Sequence, residues 1–218
     1  MLSQLIYGSQ VSLLVGMAAG ILSTIVAVLI GLSWGYMRGF LGEVVGFIVN
    51  LFLVIPGLPL MIVIAAYLQN GGILMIIAVI VVTGWAWGAR VLRSQTQSLR
   101  GNDFVTSAQF SGDSRARIVF REILPNMTSI IAGTLFGAAT AAILAEAGLE
   151  FLGLGDSSIV SWGTMLYWAQ NSNSLLTGQW LLLFAPGLCI ALLALSLTLI
   201  NFGVDGISNP RLREGKGR

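Results

Sequence analysis

Residues 44–89 read VVGFIVNLFLVIPGLPLMIVIAAYLQNGGILMIIAVIVVTGWAWGA and hold no charged side chain. A membrane-crossing helix needs about 20 apolar residues, so this run is too long for one and suits two. Gln69-Asn70-Gly71-Gly72 is a turn signal inside it. It predicts one span over 44–68 and another over 73–89. Ile55-Pro56-Gly57-Leu58-Pro59 lies within the first, where two prolines kink or locally unwind a helix. Irregular backbone at membrane depth is tolerated where it is buried in protein or lines a watery path. Pro56 and Pro59 are therefore candidate pathway residues, with a plain structural kink as the other reading.

The same pattern extends outward. Residues 1–37 carry no charge and supply a span over 11–37. Arg38 and Glu43 bracket a tight turn before the next span. A polar, basic stretch runs from Arg90 to Glu122, then a fourth span over 127–145 follows Pro125-Asn126. A mixed loop covers 148–179, a fifth span covers 180–202, and the tail is short and basic. The expected fold is an all-α polytopic membrane protein, a single domain over 1–218 with about five transmembrane helices.

Composition agrees. Of 218 residues, 56% are hydrophobic and 9% charged, with a mean hydropathy of +0.89. Soluble domains carry roughly 25% charged residues, and disorder needs low hydrophobicity. There is no histidine, which removes a Ser-His-Asp triad and any His-ligated metal. The single cysteine, Cys189, removes a disulfide framework, a CxxC pair and a cysteine zinc site. The only Gly-Lys pair, Gly215-Lys216, ends the chain without a phosphate loop, so nucleotide hydrolysis is not expected of this chain.

The basic residues give orientation. The five-span map puts Arg38, Arg90, Arg93, Arg100, Arg115, Arg117, Arg121, Arg211, Arg213, Lys216 and Arg218 on one side, which is all eleven. The opposite side holds the acids Glu150 and Asp156, with Glu146 close by. The C-terminus is thus expected in the cytoplasm and the N-terminus outside. The basic excess belongs to cytoplasmic loops, not to nucleic-acid binding. An outside N-terminus lacking a basic signal region is awkward, and one more upstream helix would resolve it.

The segment 102–125 forms a cytoplasmic knob between two spans. Asn102 or Asp103 can cap a short helix that Gly112 closes. Asp113 can cap a second helix through Arg121, ending before Pro125. A lipid-surface amphipathic loop is the alternative. Residues 104–126, FVTSAQFSGDSRARIVFREILPN, resemble the EAA motif of ABC importer permeases. Thr106, Ser107 and Ala108 occupy the E-A-A positions, and Gly112, Leu124 and Pro125 match at the required spacing. Thr106 replaces the acid, so its salt bridge does not carry over. Leu5-Ile6-Tyr7-Gly8, Ala145-Glu146-Ala147, Phe151-Leu152-Gly153-Leu154-Gly155, Ser161-Trp162-Gly163 and Asn209-Pro210-Arg211-Leu212 resemble the C-type permease of the dipeptide, oligopeptide and nickel class.

That resemblance implies the permease half of a binding-protein-dependent importer in a prokaryotic inner membrane. Its implied partners are a second homologous permease in a heterodimer, two cytoplasmic ATPases, an external binding protein and membrane lipid. It implies no cofactor on this chain, with ATP used by the ATPases. The knob would be the coupling helix seated in an ATPase cleft. Phe104 and Ala108 would fill the cleft, Arg115 and Arg117 would pair with its acidic rim, and Pro125 would start the next span. Family members usually have six spans, and the sequence is expected to lack the counterpart of the first. Di- or oligopeptides are the expected cargo, with cello-oligosaccharides or nickel as alternatives.

Four further readings remain. Glu146, near the outer end of the fourth span, is either a pathway residue or a structural cap. Asp156, Trp162, Tyr167 and Trp168 are candidate binding-protein contacts on the outer loop, expected to include a short surface helix. An interfacial aromatic belt explains the rings more simply. A stand-alone secondary transporter or channel is the rival class, but the spans at 11–37 and 44–89 lack coupling charges and no internal repeat is evident. A membrane-embedded enzyme conflicts with the absence of histidine and of paired intramembrane acids.

Overall fold

In the computed structural model, residues 1–68 and 72–208 are described, and every regular element among them is helical. The turn at Gln69–Gly71 and the tail motif at Asn209–Leu212 lie outside the described residues. The elements are α1 (Leu2–Tyr36), α2 (Phe40–Val54), α3 (Gly57–Tyr67), α4 (Ile73–Leu99), α5 (Asp103–Phe110), α6 (Arg115–Arg117), α7 (Thr128–Phe151), α8 (Trp162–Asn171) and α9 (Leu181–Ser208). Four stretches are long and apolar enough to cross a membrane: Leu2–Tyr36, Ile73–Leu99, Arg115–Phe151 and Leu181–Val204. The α2–α3 pair makes a fifth when counted as one broken span.

That pair breaks the span expected over 44–68 within the Ile55–Pro59 stretch, where a kink or local unwinding is expected. Ile55 (φ −71°, ψ 126°) and Pro56 (φ −60°, ψ 121°) are both extended, so α2 stops and α3 restarts. Pro56 is the N-cap of α3, and Leu60 N–H donates to its carbonyl at 3.1 Å. Pro59 falls in the first turn, where its missing N–H costs no helical bond. The break therefore belongs to Ile55-Pro56, and Pro59 bends nothing. At a rise of about 1.5 Å per residue, α2 and α3 reach about 22 and 17 Å, each short of a ~30 Å hydrocarbon core.

Other helices outrun the expected spans. The span at 73–89 continues as helix to Leu99, carrying Arg90 and Arg93, and the span at 127–145 continues to Phe151. Charge marks where the membrane ends, whereas a helix ends where its backbone bonds run out of partners. The expected loop at 148–179 thus begins after Phe151 and contains α8.

The chain divides into two compact units. The first comprises Met1–Ser23, Pro56–Gly84 and Phe136–Ile200. Its packing centres on Val15, Ala19, Ile76, Val79, Ala142 and Leu149, with a second cluster around Ala139, Ile143, Ala147 and Trp162. A Cβ on Gly20 would stand 2.7 Å from the Ala139 Cα, so only glycine lets α1 lie this close to α7. The second unit comprises Thr24–Ile55, Trp85–Leu135 and the chain from Asn201. Its core holds Leu32, Trp34, Val49, Ala89, Leu92, Val105, Ile118, Ile123 and Met127. Here a Cβ on Gly31 would lie 2.7 Å from the Ala89 carbonyl, and one on Gly35 2.5 Å from Thr96 Cβ. Gly16-x-x-x-Gly20 and Gly31-x-x-x-Gly35 are small-residue seams of the kind that draw membrane helices together.

Candidate functional site

The knob at 102–125 builds from its glycine. Gly112 adopts φ +81°, a conformation costly for residues with a Cβ. That turn lets Gly112 N–H donate to Gln109 (3.1 Å) and Asp113 N–H donate to Ala108 (3.1 Å), the paired bonds of a Schellman C-cap. No atom lies within 4 Å of a Cβ placed there, so conformation alone demands the glycine. At the other end, Asn102 takes the N-cap position through its backbone, with no side-chain capping bond. The next helix starts at Ser114, not Asp113 as expected: the Ser114 hydroxyl accepts the Arg117 N–H at 3.3 Å.

Pro125 does not interrupt the chain. A π-helical turn over Ile118–Ile123 passes into a 3₁₀ turn over Leu124–Met127 and then α7. Leu124 N–H donates to Val119, five residues back, which widens the helix just where the proline ring would meet the preceding turn. Asn126 donates its side-chain N–H to the Glu122 carbonyl at 2.7 Å. The knob is thus continuous with the span, correcting the expected stop before Pro125.

The two faces of α5 are the main finding. Val105 is fully buried, and Phe104 and Ala108 pack beside it on the second unit's core. Phe104 and Ala108, expected to fill a partner's cleft, hold the knob to its own chain instead. The outward stripe is Asp103, Thr106, Ser107 and Phe110, spaced i, i+3, i+4, i+7. Phe110 is 89% exposed. It was not among the expected residues, although its spacing from Thr106 and Ser107 put it on their face. The Thr106 hydroxyl donates to the Asn102 carbonyl (3.3 Å), tying that polar position to the helix itself, and Ser111 Oγ donates to the Ser107 carbonyl (3.0 Å). Arg115 is exposed, whereas Arg117 already pairs with Asp113 at 3.0 Å. Gln109 Nε2 donates to the Tyr36 hydroxyl (3.2 Å), linking α5 to the end of α1.

The outer-side candidates separate. Glu146 has no exposed surface: Ser12 Oγ donates to its Oε1 at 3.0 Å and its Oε2 has no hydrogen-bond partner. Ser12 Oγ also accepts the Trp162 N–H at 3.3 Å, so one serine joins α1, α7 and the start of α8. Glu150, one turn along, accepts from Ser161 Oγ. Two acids thus stand buried a turn apart near the end of α7, beyond the residues 127–145 expected to cross the membrane. Glu146 lines no open path in this conformation. Ser161 and Thr164 form a reciprocal capping box that starts α8.

α8 turns one face inward, where Trp162, Gly163, Thr164 and Ala169 are buried, and exposes Trp168, Gln170 and Asn171 on the other. Trp162 is 6% exposed and donates its Nε1–H to the Leu5 carbonyl at 3.1 Å, which withdraws it as a partner contact. Trp168 is 56% exposed and meets Tyr167 edge-on at 5.3 Å. Asp156 is exposed and accepts from Ser158 Oγ (2.6 Å) and Ser158 N–H (3.0 Å), bonds that hold its carboxyl below the usual range.

Comparison with known proteins follows the same lines. The profile of the family described as "Binding-protein-dependent transport system inner membrane component" matches residues 27–214. The oligopeptide transport system permease protein OppC of Mycobacterium tuberculosis is 32% identical over 209 residues, covering 95% of this chain and 70% of that one. The dipeptide transport system permease protein DppC of Bacillus subtilis is 31% identical over 210 residues, covering 95% of this chain and 64% of that one. Among solved structures, a chain of the MetNI methionine ABC transporter in inward-facing conformations superposes with a TM-score of 0.73. It is 16% identical, with 94% of this chain and 97% of that chain covered.

Proposed function

The chain belongs to the family of binding-protein-dependent transport inner membrane components, and from that premise we propose that it carries di- or oligopeptides. It is a multi-pass permease subunit of an ABC importer and not itself an ATPase. The observation supporting peptide cargo is identity of about one third, over 95% of the chain, to proteins named for oligopeptide and dipeptide transport. Family membership replaces the stand-alone transporter alternative.

In this reading a second, homologous permease completes the pathway and two ATPases lie on the side of the knob. The tail shares that cytoplasmic side, and an external binding protein delivers cargo near Asp156, Tyr167 and Trp168. The outward stripe of α5 enters an ATPase cleft, with Phe110 as its apolar tip and Arg115 at the rim. Val105, Phe104 and Ala108 clamp the helix to the permease core, so force on the tip moves the knob as one piece. The unbroken helical run from Arg115 into α7 passes that motion to a membrane span.

The test is ATP-dependent uptake by the reconstituted four-subunit complex with its binding protein. Labelled peptides should be taken up only with ATP and ATPases present, and unlabelled peptides should compete where oligosaccharides and nickel do not. Uptake without the ATPases, or competition by sugars alone, would overturn it.

A further inference from the structure

Beside the knob, Arg38, Arg100 and Arg115 line one cavity of about 390 Å³ together with Tyr36, Gln109, Asp113 and Ile118. All seven residues belong to the second unit. Ligand pockets run from about 300 to 1,000 Å³. Asp113 is the only acid on this wall, and its charge is already met by Arg117 at 3.0 Å. Arg100 spends one N–H on the Tyr36 carbonyl at 3.4 Å and keeps its other donors. Three arginines thus line one space whose one carboxylate, Asp113, is already paired with Arg117, an arrangement that suits a phosphate's tetrahedral oxygens.

The residues beside Arg38 point to the source of that phosphate. Arg38 comes two residues after α1 ends, where an apolar span gives way to water, and Arg100 follows the polar end of α4, about 15 Å along the helix beyond Arg90. Around Arg38, Met37 is 40%, Leu41 67% and Phe40 76% exposed. These three residues adjoin Arg38 without lining the cavity, and a soluble anion has no use for such an apolar neighbour. An amphiphile does, with its phosphate among the arginines and its hydrocarbon against Met37, Phe40 and Leu41. Basic pockets at the cytoplasmic ends of membrane helices take anionic headgroups in this way.

We propose that this cavity binds the phosphate of an anionic phospholipid, bracing the ends of α1 and α4 against the root of the knob. The site rests on the topology above but not on the cargo, and it shares Arg115 with the proposed ATPase contact.

The test uses the purified four-subunit complex and a fluorescent phosphatidylglycerol, titrated in neutral detergent, with phosphatidylcholine as comparison. Phosphatidylglycerol should bind more tightly than phosphatidylcholine. The Arg38→Gln/Arg100→Gln double variant should weaken it about thirtyfold, as expected for two lost basic contacts. Arg38→Lys/Arg100→Lys should retain most of the binding, which separates lost charge from misfolding. Millimolar inorganic phosphate should fail to displace the lipid. Equal binding of the two lipids, unchanged affinity in the glutamine variant, or displacement by inorganic phosphate would each overturn the assignment. Loss of lipid with coupled ATPase activity and peptide uptake intact upholds this site. Loss of uptake in Phe110→Ala with lipid binding intact concerns the coupling reading alone.

Discussion

Phe110 and Phe104 stand six residues apart in one short helix and face opposite ways. Phe110→Ala removes a ring that touches solvent over 89% of its surface, so stability should change by no more than about 0.5 kcal/mol. Peptide-stimulated ATPase activity of the complex should nonetheless fall at least tenfold. Phe104→Ala should behave in reverse. It loosens a half-buried ring on the core and should cost about 2 kcal/mol, below the 3–5 kcal/mol of a fully buried one, read as thermal stability of the purified complex. Equal effects of the two variants on coupling would defeat the two-face reading. Gly112→Val tests the turn itself: a β-branched residue at φ +81° should cost about 1–2 kcal/mol and misdirect the knob, although nothing crowds the position. The sequence revealed that a glycine closes the knob. It concealed which aromatic faced out, because matching a motif by position ignores the helical period that sorts 104, 105 and 108 from 103, 106, 107 and 110. The role of Ser12 was equally hidden, since its three-way contact with Glu146 and Trp162 spans up to 150 positions of chain.

Among elements, the long helices were legible because uncharged runs report the hydrocarbon core directly, while their ends were not. The α4 helix passes Arg90 and Arg93 without breaking, and Arg93 lays its guanidinium over the Trp34 ring at 3.8 Å, which favours keeping it helical. The π turn before Pro125 escaped notice because proline reads as a breaker, while one wider turn absorbs it. The glycine seams are the clearest element-scale signal left unread. Gly35→Leu should drive side-chain atoms into Thr96, whose Cβ would lie 2.5 Å from a Cβ at residue 35. It should force α1 from α4 and abolish recovery of folded permease. Gly187→Leu on α9 meets nothing within 4 Å and should be recovered at the wild-type level. Comparable recovery of the two by size-exclusion chromatography would remove the close-packing argument.

For the whole molecule, the open question is whether the broken α2–α3 pair crosses the membrane or turns back. The basic residues decide it weakly: a returning pair would still leave ten of the eleven on one side and displace only Arg38. The second unit decides it physically. Arg100, at the end of α4, donates to the Tyr36 carbonyl at the end of α1, and Arg38 shares a cavity with Arg100 and Arg115. α1 and α4 must therefore end on the same side. Since α4 is one unbroken spanning helix, its start at Ile73 must lie on the other side. A crossing by α2 and α3 together is the expected outcome. The check is impermeant thiol labelling of intact cells in a Cys189→Ala background, which removes the only native thiol. Arg38→Cys and Ser107→Cys should be protected together and labelled only after the membrane is opened, while Gly72→Cys should react from outside. Labelling of Gly72→Cys and Arg38→Cys from the same side would mean that the pair turns back, and that α4 and the knob lie across the membrane from Arg38.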